Sequence, residues 1–376
     1  MFVSGSAITG AQTLGHTVSH HTTTADKINQ AEIVKIGLLI PSPEALSAKH
    51  GAELAIRQAN ENGGYFGRPY RLITRSTEGP WGTGSKESVN LVFEDEVLAI
   101  MGALDGRNAH LAEQVAAKTR TAFLSSRATD MSLSQAFVPW YYRCIPDDRQ
   151  QAIALIQEIY IKRKIENAAI IASNDYDSQH AVNTFLKIAG SMNIARARQF
   201  LYKSSGKGLP DILNDIEKNN VKSIILFGDT PFASKIIPML KQRNMAQPIF
   251  GSLSIMDTQK ASSPDWAIFE DMILISSGHW FTDKGTAFQK EFQEAYGYQP
   301  GAAAAFAYDG INVIIEVIKR AGPGRNKIVD AFAETDYKNG VTGEIKFDVN
   351  GSRAGNAGLM IIKNGCPVAI RTKAPK

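Results

Sequence analysis

Between Glu32 and about Ile275 the chain repeats one unit: a short β-branched run, a polar or glycine-bearing loop, then an amphipathic helix. Such a rhythm has few ways to bury itself. Alternating strands and helices close into a parallel sheet with helices on both faces, so the strands read as nearly continuous apolar runs. The clearest copies are Val34 to Ile40 before a helix at Ala48 to Asn62, Ala168 to Ala172 before Ser178 to Ala189, and Ile224 to Phe227 before Phe232 to Leu240. Loops at the carboxyl ends of such strands are where open α/β sheets hold small molecules.

At 376 residues, 44% hydrophobic and 21% charged, the chain is too long for one compact core, and two lobes are expected. In the first helix Ala52, Ala55, Ile56 and Ala59 form a narrow apolar stripe that Gly63-Gly64 ends. Gly102 to Asn108 reads as a loop above a strand, followed by a helix from about Ala109 to Thr119. The extended Tyr141 to Ile145 meets Pro146, which marks passage into a second lobe. Toward the end, Asn350-Gly351 and Asn364-Gly365 are turn dipeptides between short β runs, so hairpin-like strands are expected there.

A net charge of +4 with scattered basic residues points away from nucleic acid. Cys144 and Cys366 are the only cysteines, which excludes a disulfide scaffold and a Cys-based zinc motif but leaves a single pairing open. No stretch reaches the roughly 20 apolar residues of a membrane-spanning helix. Residues 1–32 are rich in Ser, Thr, Gly and His and read as a flexible tail. Residues 2–12 also look like the small-residue end of a secretory signal whose charged and apolar parts are missing upstream.

Tests for chemistry come back thin. Gly79-Pro80-Trp81-Gly82-Thr83-Gly84-Ser85-Lys86 sits where a phosphate loop would, yet a P-loop needs Lys directly after its last Gly and then Ser or Thr. A tight strand-to-helix turn is the simpler reading. No G-x-G-x-x-G, G-x-S-x-G or H-E-x-x-H occurs. His16, His20 and His21 lack an acidic companion, and Glu94-Asp95-Glu96 reads as a solvated turn. No cofactor, metal or catalytic residue is assigned.

The loops above the strands carry more. Asp105-Gly106-Arg107-Asn108 and Ser125-Ser126-Arg127-Ala128-Thr129 bring charge and hydroxyls to neighbouring strand ends, where helix N-H groups and Arg107 or Arg127 suit a carboxylate. In the other lobe Asp175-Tyr176-Asp177-Ser178 and Asp229-Thr230 hold the equivalent position, with Tyr176 either over the ligand or half-buried in packing. Trp81, Tyr176, His279 and Trp280 fall in loops and either wall a cleft or, for Trp280 especially, fill a core.

Glu32 to Ile40, the helix ending Asn60-Glu61-Asn62-Gly63-Gly64, and Phe66-Gly67-Arg68-Pro69 resemble the opening of the type I periplasmic binding proteins of the leucine/isoleucine/valine class. Ile100-Met101-Gly102, Ser126-Arg127-Ala128-Thr129, Asp175-Tyr176 and Tyr308-Asp309 extend the resemblance over most of the chain from Ile33. It implies two doubly wound parallel-sheet α/β lobes joined by three crossings, residues 33–145 with 277–342 forming one lobe and 146–276 with 343–376 the other. It also implies a monomeric extracytoplasmic receptor that closes on a small molecule and presents it to an ABC permease in the membrane. By position it makes Gly106, Arg107, Ala128 and Thr129 carboxylate-side residues and Tyr176 the cover from lobe two. One departure matters: amino-acid binders of this class place an acid after the strand Pro248 to Phe250 for the ammonium group, and this chain has Gly251-Ser252-Leu253-Ser254. Trp81, Asp105, Ser126, Arg127, Asp229 and Leu253 complete the candidate site, and the pair of arginines leans toward a carboxylate-bearing organic acid. A sensory domain on the same fold is the alternative, with an α/β enzyme behind it; a repressor is disfavoured because residues 1–32 are too polar and short for a helix-turn-helix headpiece.

Overall fold

The computed structural model describes residues 33–135, 139–203, 208–263 and 265–370. The flexible tail and signal remnant expected over residues 1–32, with His16, His20 and His21, lie outside the described residues.

The first sheet runs in the order β2-β1-β3-β4-β5 and is parallel throughout. Its strands are β1 (Val34–Ile40), β2 (Tyr70–Ser76), β3 (Ala99–Gly102), β4 (Ala122–Ser125) and β5 (Tyr141–Arg143). β1 sits between β2 and β3, which is why Ile36, Leu38 and Leu39 are sealed from water. On one face α1 (Leu46–Glu61) packs with α9 (Ala302–Ala321) and α10 (Arg325–Ala333), and on the other lie α2 (Thr83–Phe93) and α3 (Gly106–Thr119). Between α3 and α9 in the chain come the helices of the second lobe and α8 (Asp283–Tyr296), which packs its Phe288 and Phe292 near α9.

The second sheet has the order β14-β13-β10-β9-β8-β6-β7. β6 (Ala168–Ser173), β7 (Arg198–Tyr202), β8 (Ser223–Phe227), β9 (Ile249–Gly251) and β10 (Ile273–Ser276) are parallel. β13 (Gly358–Lys363) and β14 (Cys366–Ile370) form an antiparallel hairpin on the β10 edge. Its turn is Asn364-Gly365, with φ of 52° and 67°, the left-handed pair that a two-residue hairpin requires. Helices α4 (Asp148–Ile156, continued by a π-helical stretch Gln157–Lys162), α5 (Tyr176–Ser191), α6 (Leu209–Lys218) and α7 (Thr230–Gln242) complete this lobe. β11 (Asp336–Tyr337) and β12 (Ile345–Lys346) make a small separate ribbon.

Three helices begin earlier than the hydrophobic period suggests. Asp105, Asp175 and Asp229 are N-caps whose carboxylates accept from the backbone N-H three residues on, at Asn108, Ser178 and Phe232. Gly106, Arg107 and Tyr176, read from sequence as loop residues, are therefore first-turn helical residues, because the cap draws the start back to the aspartate. The two cysteines are free, Cys144 buried and Cys366 exposed.

Buried polar side chains tie the crossings together. Asp309 of α9, sealed from solvent, accepts from the backbone N-H of Val341 at 2.8 Å and of Thr342 at 2.9 Å. Arg353 donates to the carbonyls of Cys144, Thr342 and Glu344, each at 2.9 Å. Segments leaving one sheet for the other are thus bonded to each other rather than to water.

Candidate functional site

The strand order reverses beside β1 in the first sheet and beside β6 in the second, and crevices at such switch points are where α/β sheets bind ligands. The carboxyl ends of both sheets meet there. A partly open cleft of about 40 Å³ lies between them, room for roughly three water-sized groups at about 10–15 Å³ each. From the first lobe it is lined by Ser126, Arg127 and Thr129 after β4; from the second by Asp148 and Gln151 of α4, Asp177, Ser178 and Ala181 of α5, Phe227, and Ser252, Leu253, Ser254 and Asp257 after β9. Ala302, Ala303 and Phe306 at the start of α9 close the floor.

Arg127 is the cation of this site. Its Nε donates to Asp257 Oδ2 at 2.6 Å, and its terminal amino groups have no hydrogen-bond partner among the described residues. Burial alone would favour the neutral form, but the charges of Asp257, Asp177 and Asp105 more than offset it and hold the guanidinium protonated. Thr129 is fixed by its carbonyl, which accepts from Arg143 Nη1 at 2.7 Å and from the Asp148 N-H at 3.0 Å. Gln151 Oε1 accepts from the Leu253 N-H at 3.0 Å, coupling two lining segments. Burial pushes the Asp148 carboxyl up to about 7 and that of Asp177 up to about 6.

Beside this space the lobes touch directly. The Gly106 N-H donates to Asp177 Oδ1 at 2.8 Å, so the free N-terminus of α3 already holds a carboxylate from the opposite lobe. Tyr176 donates its hydroxyl proton to Asp130 Oδ2 at 2.9 Å, and His180 Nδ1 lies 3.4 Å from Asp130 Oδ1. A Cβ on Gly106 would come within 2.8 Å of Asp177 Oδ1 and 3.0 Å of the Tyr176 ring, so the approach depends on glycine.

Of the residues singled out from sequence, Ser126, Arg127, Thr129, Asp177, Ser178 and Leu253 line the space. Ala128 is buried behind them, its N-H on Ser125 Oγ at 3.1 Å. Gly106 and Tyr176 sit at the lobe contact just described. Arg107 lies over the Tyr176 ring, 5.5 Å from its centroid. Asp105 and Asp229 are occupied as caps, and Trp81 is 79% exposed. His279 and Trp280 belong to packing: His279 is sealed, with Nδ1 2.8 Å from Ser277 Oγ, and Trp280 meets Trp266 edge-on. Sequence reasoning missed Asp148, Gln151 and Asp257. The first two are three apart at the start of α4, a spacing that puts both on one helical face, but the extended run before that helix, ending at Pro146, reads as a crossing between lobes rather than as a ligand-bearing strand end.

His110 Nε2 lies 3.0 Å from Ser132 Oγ, the spacing of a base and its nucleophile. The Asp130 carboxylate bonded to both raises the imidazole to about 9, so near neutral pH the ring is charged and has no lone pair to take the serine proton.

A family model described as periplasmic binding protein matches residues 34–363. No curated protein matches the chain by sequence. Among solved structures, the branched-chain amino acid transporter substrate-binding protein LivJ of Streptococcus pneumoniae, in complex with isoleucine, superposes with a TM-score of 0.77 at 20% identity, covering 90% of this chain and 98% of its own. The leucine-binding protein LivK of Thermotoga maritima gives 0.77 at 19%, covering 90% and 98%. A solute-binding protein of an ABC transporter from R. palustris, in complex with benzoate, gives 0.77 at 17%, covering 90% and 95%. At these identities the likeness is one of fold.

Proposed function

This chain belongs to the periplasmic binding protein family, and from that premise we propose that it is the extracytoplasmic receptor of an ABC importer, closing its lobes on a small organic acid or amino-acid-like solute and offering the closed form to a membrane permease. The observation that carries this reading is the convergence of both lobes on one partly open cleft into which Arg127 turns unpartnered amino groups. A planar guanidinium receives a carboxylate through two parallel N-H bonds. The complexes of structural relatives with isoleucine and with benzoate, both carboxylates, support the same chemistry. The lobe division at Pro146, Ser277 and Gly343 is part of the proposal. A solute that touches both rims stabilises the closed arrangement over the open one, which is all a transport receptor needs to signal occupancy. No step of it asks for a nucleophile, and the protonated His110 offers none.

The test is a thermal-shift screen of small carboxylates and amino acids followed by X-ray scattering. A true ligand at about 100 times its Kd stabilises the native form by about 2.7 kcal/mol and shrinks the radius of gyration. A panel in which nothing raises the melting temperature, or a hit that leaves the scattering curve unchanged, overturns the reading.

A further inference from the structure

A second pocket lies at the crossings, open at its mouth and about 590 Å³ in volume, within the roughly 300–1,000 Å³ of small-molecule sites and far larger than the cleft. Phe306 is the one residue that lines both. All three crossings border it: Pro146 from the first, Ser276 and Ser277 from the second, Thr342 and Glu344 from the third. Phe281, with Leu359 and Ile370 of the β13–β14 hairpin, gives it an apolar wall. The polar side is cationic. Arg353 and Lys346 line it against Glu344 alone, and Glu344 is taken up by Lys346 at 2.8 Å. Arg353 makes no ion pair among the described residues; its Nη groups donate to the carbonyls of Cys144, Thr342 and Glu344 and to Thr342 Oγ1, and its Nε has no partner among them. The carboxylate whose charge acts on it, Asp309, is buried and committed to Val341 and Thr342. In the same loop the backbone N-H groups of Gly355 and Asn356 make no hydrogen bond to the described residues. A guanidinium stays charged, and carbonyl dipoles orient it without cancelling that charge, so the pocket favours an anion.

We propose that this pocket is a second ligand site, separate from the cleft, for a compact amphipathic anion free in solution, with its acidic head at Arg353, Gly355 and Asn356 and its apolar body on Phe281, Leu359 and Ile370. A wholly polar anion would leave the apolar wall wet, and a neutral hydrocarbon would leave the cation without a counter-charge. The occupant is an effector rather than cargo. It touches all three crossings, the segments that flex when two lobes part. The lobes are in contact through Gly106 and Asp177, so the pocket in this shape belongs to the closed arrangement, and a ligand fitted to it favours that arrangement by its differential contacts. Phe306, a wall of both spaces, couples them, and by linkage a solute that closes the cleft tightens the effector by the same factor. The effect on closure rests on the receptor reading above; occupation of the pocket does not.

Fluorescence titration of the full chain tests this with a matched pair of probes, 1-anilinonaphthalene-8-sulfonate and N-phenyl-1-naphthylamine, one aromatic body with and without an acidic group. The expected result is saturable binding of one sulfonate per chain, at least about tenfold tighter than the neutral amine. Ala369→Trp adds a ring to the lining and Ala354→Glu sets an acid next to Arg353; both positions line the pocket and are exposed, so the fold tolerates them, and each weakens the sulfonate about tenfold. Arg127→Ala, which disables the cleft, leaves the dye bound as before. In hydrogen exchange, the amides of residues 143–145, 276–278 and 341–346 open at least several-fold less often with the dye in place. No binding, equal affinity for the two probes, several dyes per chain, or full affinity in both pocket variants overturns the site. Unchanged exchange at the crossings overturns the effector role. Neither result touches the receptor reading, which fails alone if the dye behaves as expected and no solute enters the cleft.

Discussion

Arg127 and Arg107 look alike in the sequence, each in a polar run just past a strand, and the fold gives them different work. Arg127 turns its fork into the cleft with Asp257 as anchor, whereas Arg107 stacks on Tyr176 outside it. Arg127→Ala is expected to weaken the ligand by about 1.5–3 kcal/mol, the range for a lost charge-assisted bond, and Arg107→Ala by well under about 1 kcal/mol; equal losses by calorimetry would contradict the placement. Asp148 yields a second expectation. Burial lifts its carboxyl to about 7, above the roughly 3.9 of an unfolded chain. Its support of the fold is complete below about pH 4 and drains away as pH climbs through about 7. Urea melts of the ligand-free protein should then show Asp148→Asn losing less stability than the parent between about pH 5 and pH 8, by an amount on the order of 2–3 kcal/mol.

Between elements, the closest packing is α1 against α9. Gly51 lies where a Cβ would meet the Ala304 carbonyl oxygen at 2.2 Å, and the neighbours Ala48, Ala52, Ala55, Ala303 and Ala307 are all small and buried. Ala is the better helix former by about 1 kcal/mol, but overpacking a tight seam costs about 1–3 kcal/mol, and main-chain atoms cannot swing aside. Gly51→Ala should therefore lower the denaturation midpoint; a stabilised variant would show that the seam is looser than drawn. Much at this scale was legible. β1, β6 and β8 are apolar runs because each is flanked by strands and covered on both faces. β7 escaped notice because it is an edge: Arg198, Gln199 and Leu201 face water, so no apolar run marks it. The helix starts were displaced because Asp105, Asp175 and Asp229 were weighed as ligand groups, although an aspartate three residues before a helical N-H is equally a cap signal.

At the scale of the molecule the two lobes are in contact through Gly106 with Asp177 and through Asp130 with Tyr176 and His180. These bonds favour closure before any solute arrives, and an equilibrium of this kind shifts only as far as the differential contacts allow. Gly106→Ala places a methyl group into that contact and should enlarge the radius of gyration of the ligand-free protein in scattering. An unchanged curve would mean that Asp177 and Tyr176 simply step aside.

The order of apolar runs along the chain sufficed for the α/β class, since a βα rhythm buries its strands in a parallel sheet under helices. The free state of Cys144 and Cys366 was beyond it. So was the membership of the cleft. Asp148, Asp177 and Asp257 lie in three separate segments, and what makes them a site is that helix starts and a strand end arrive at one crevice and leave a carboxylate oxygen there without a donor. Local sequence encodes burial and turn chemistry over a few residues; which distant charges face one another is settled only when two sheets fold and their rims meet.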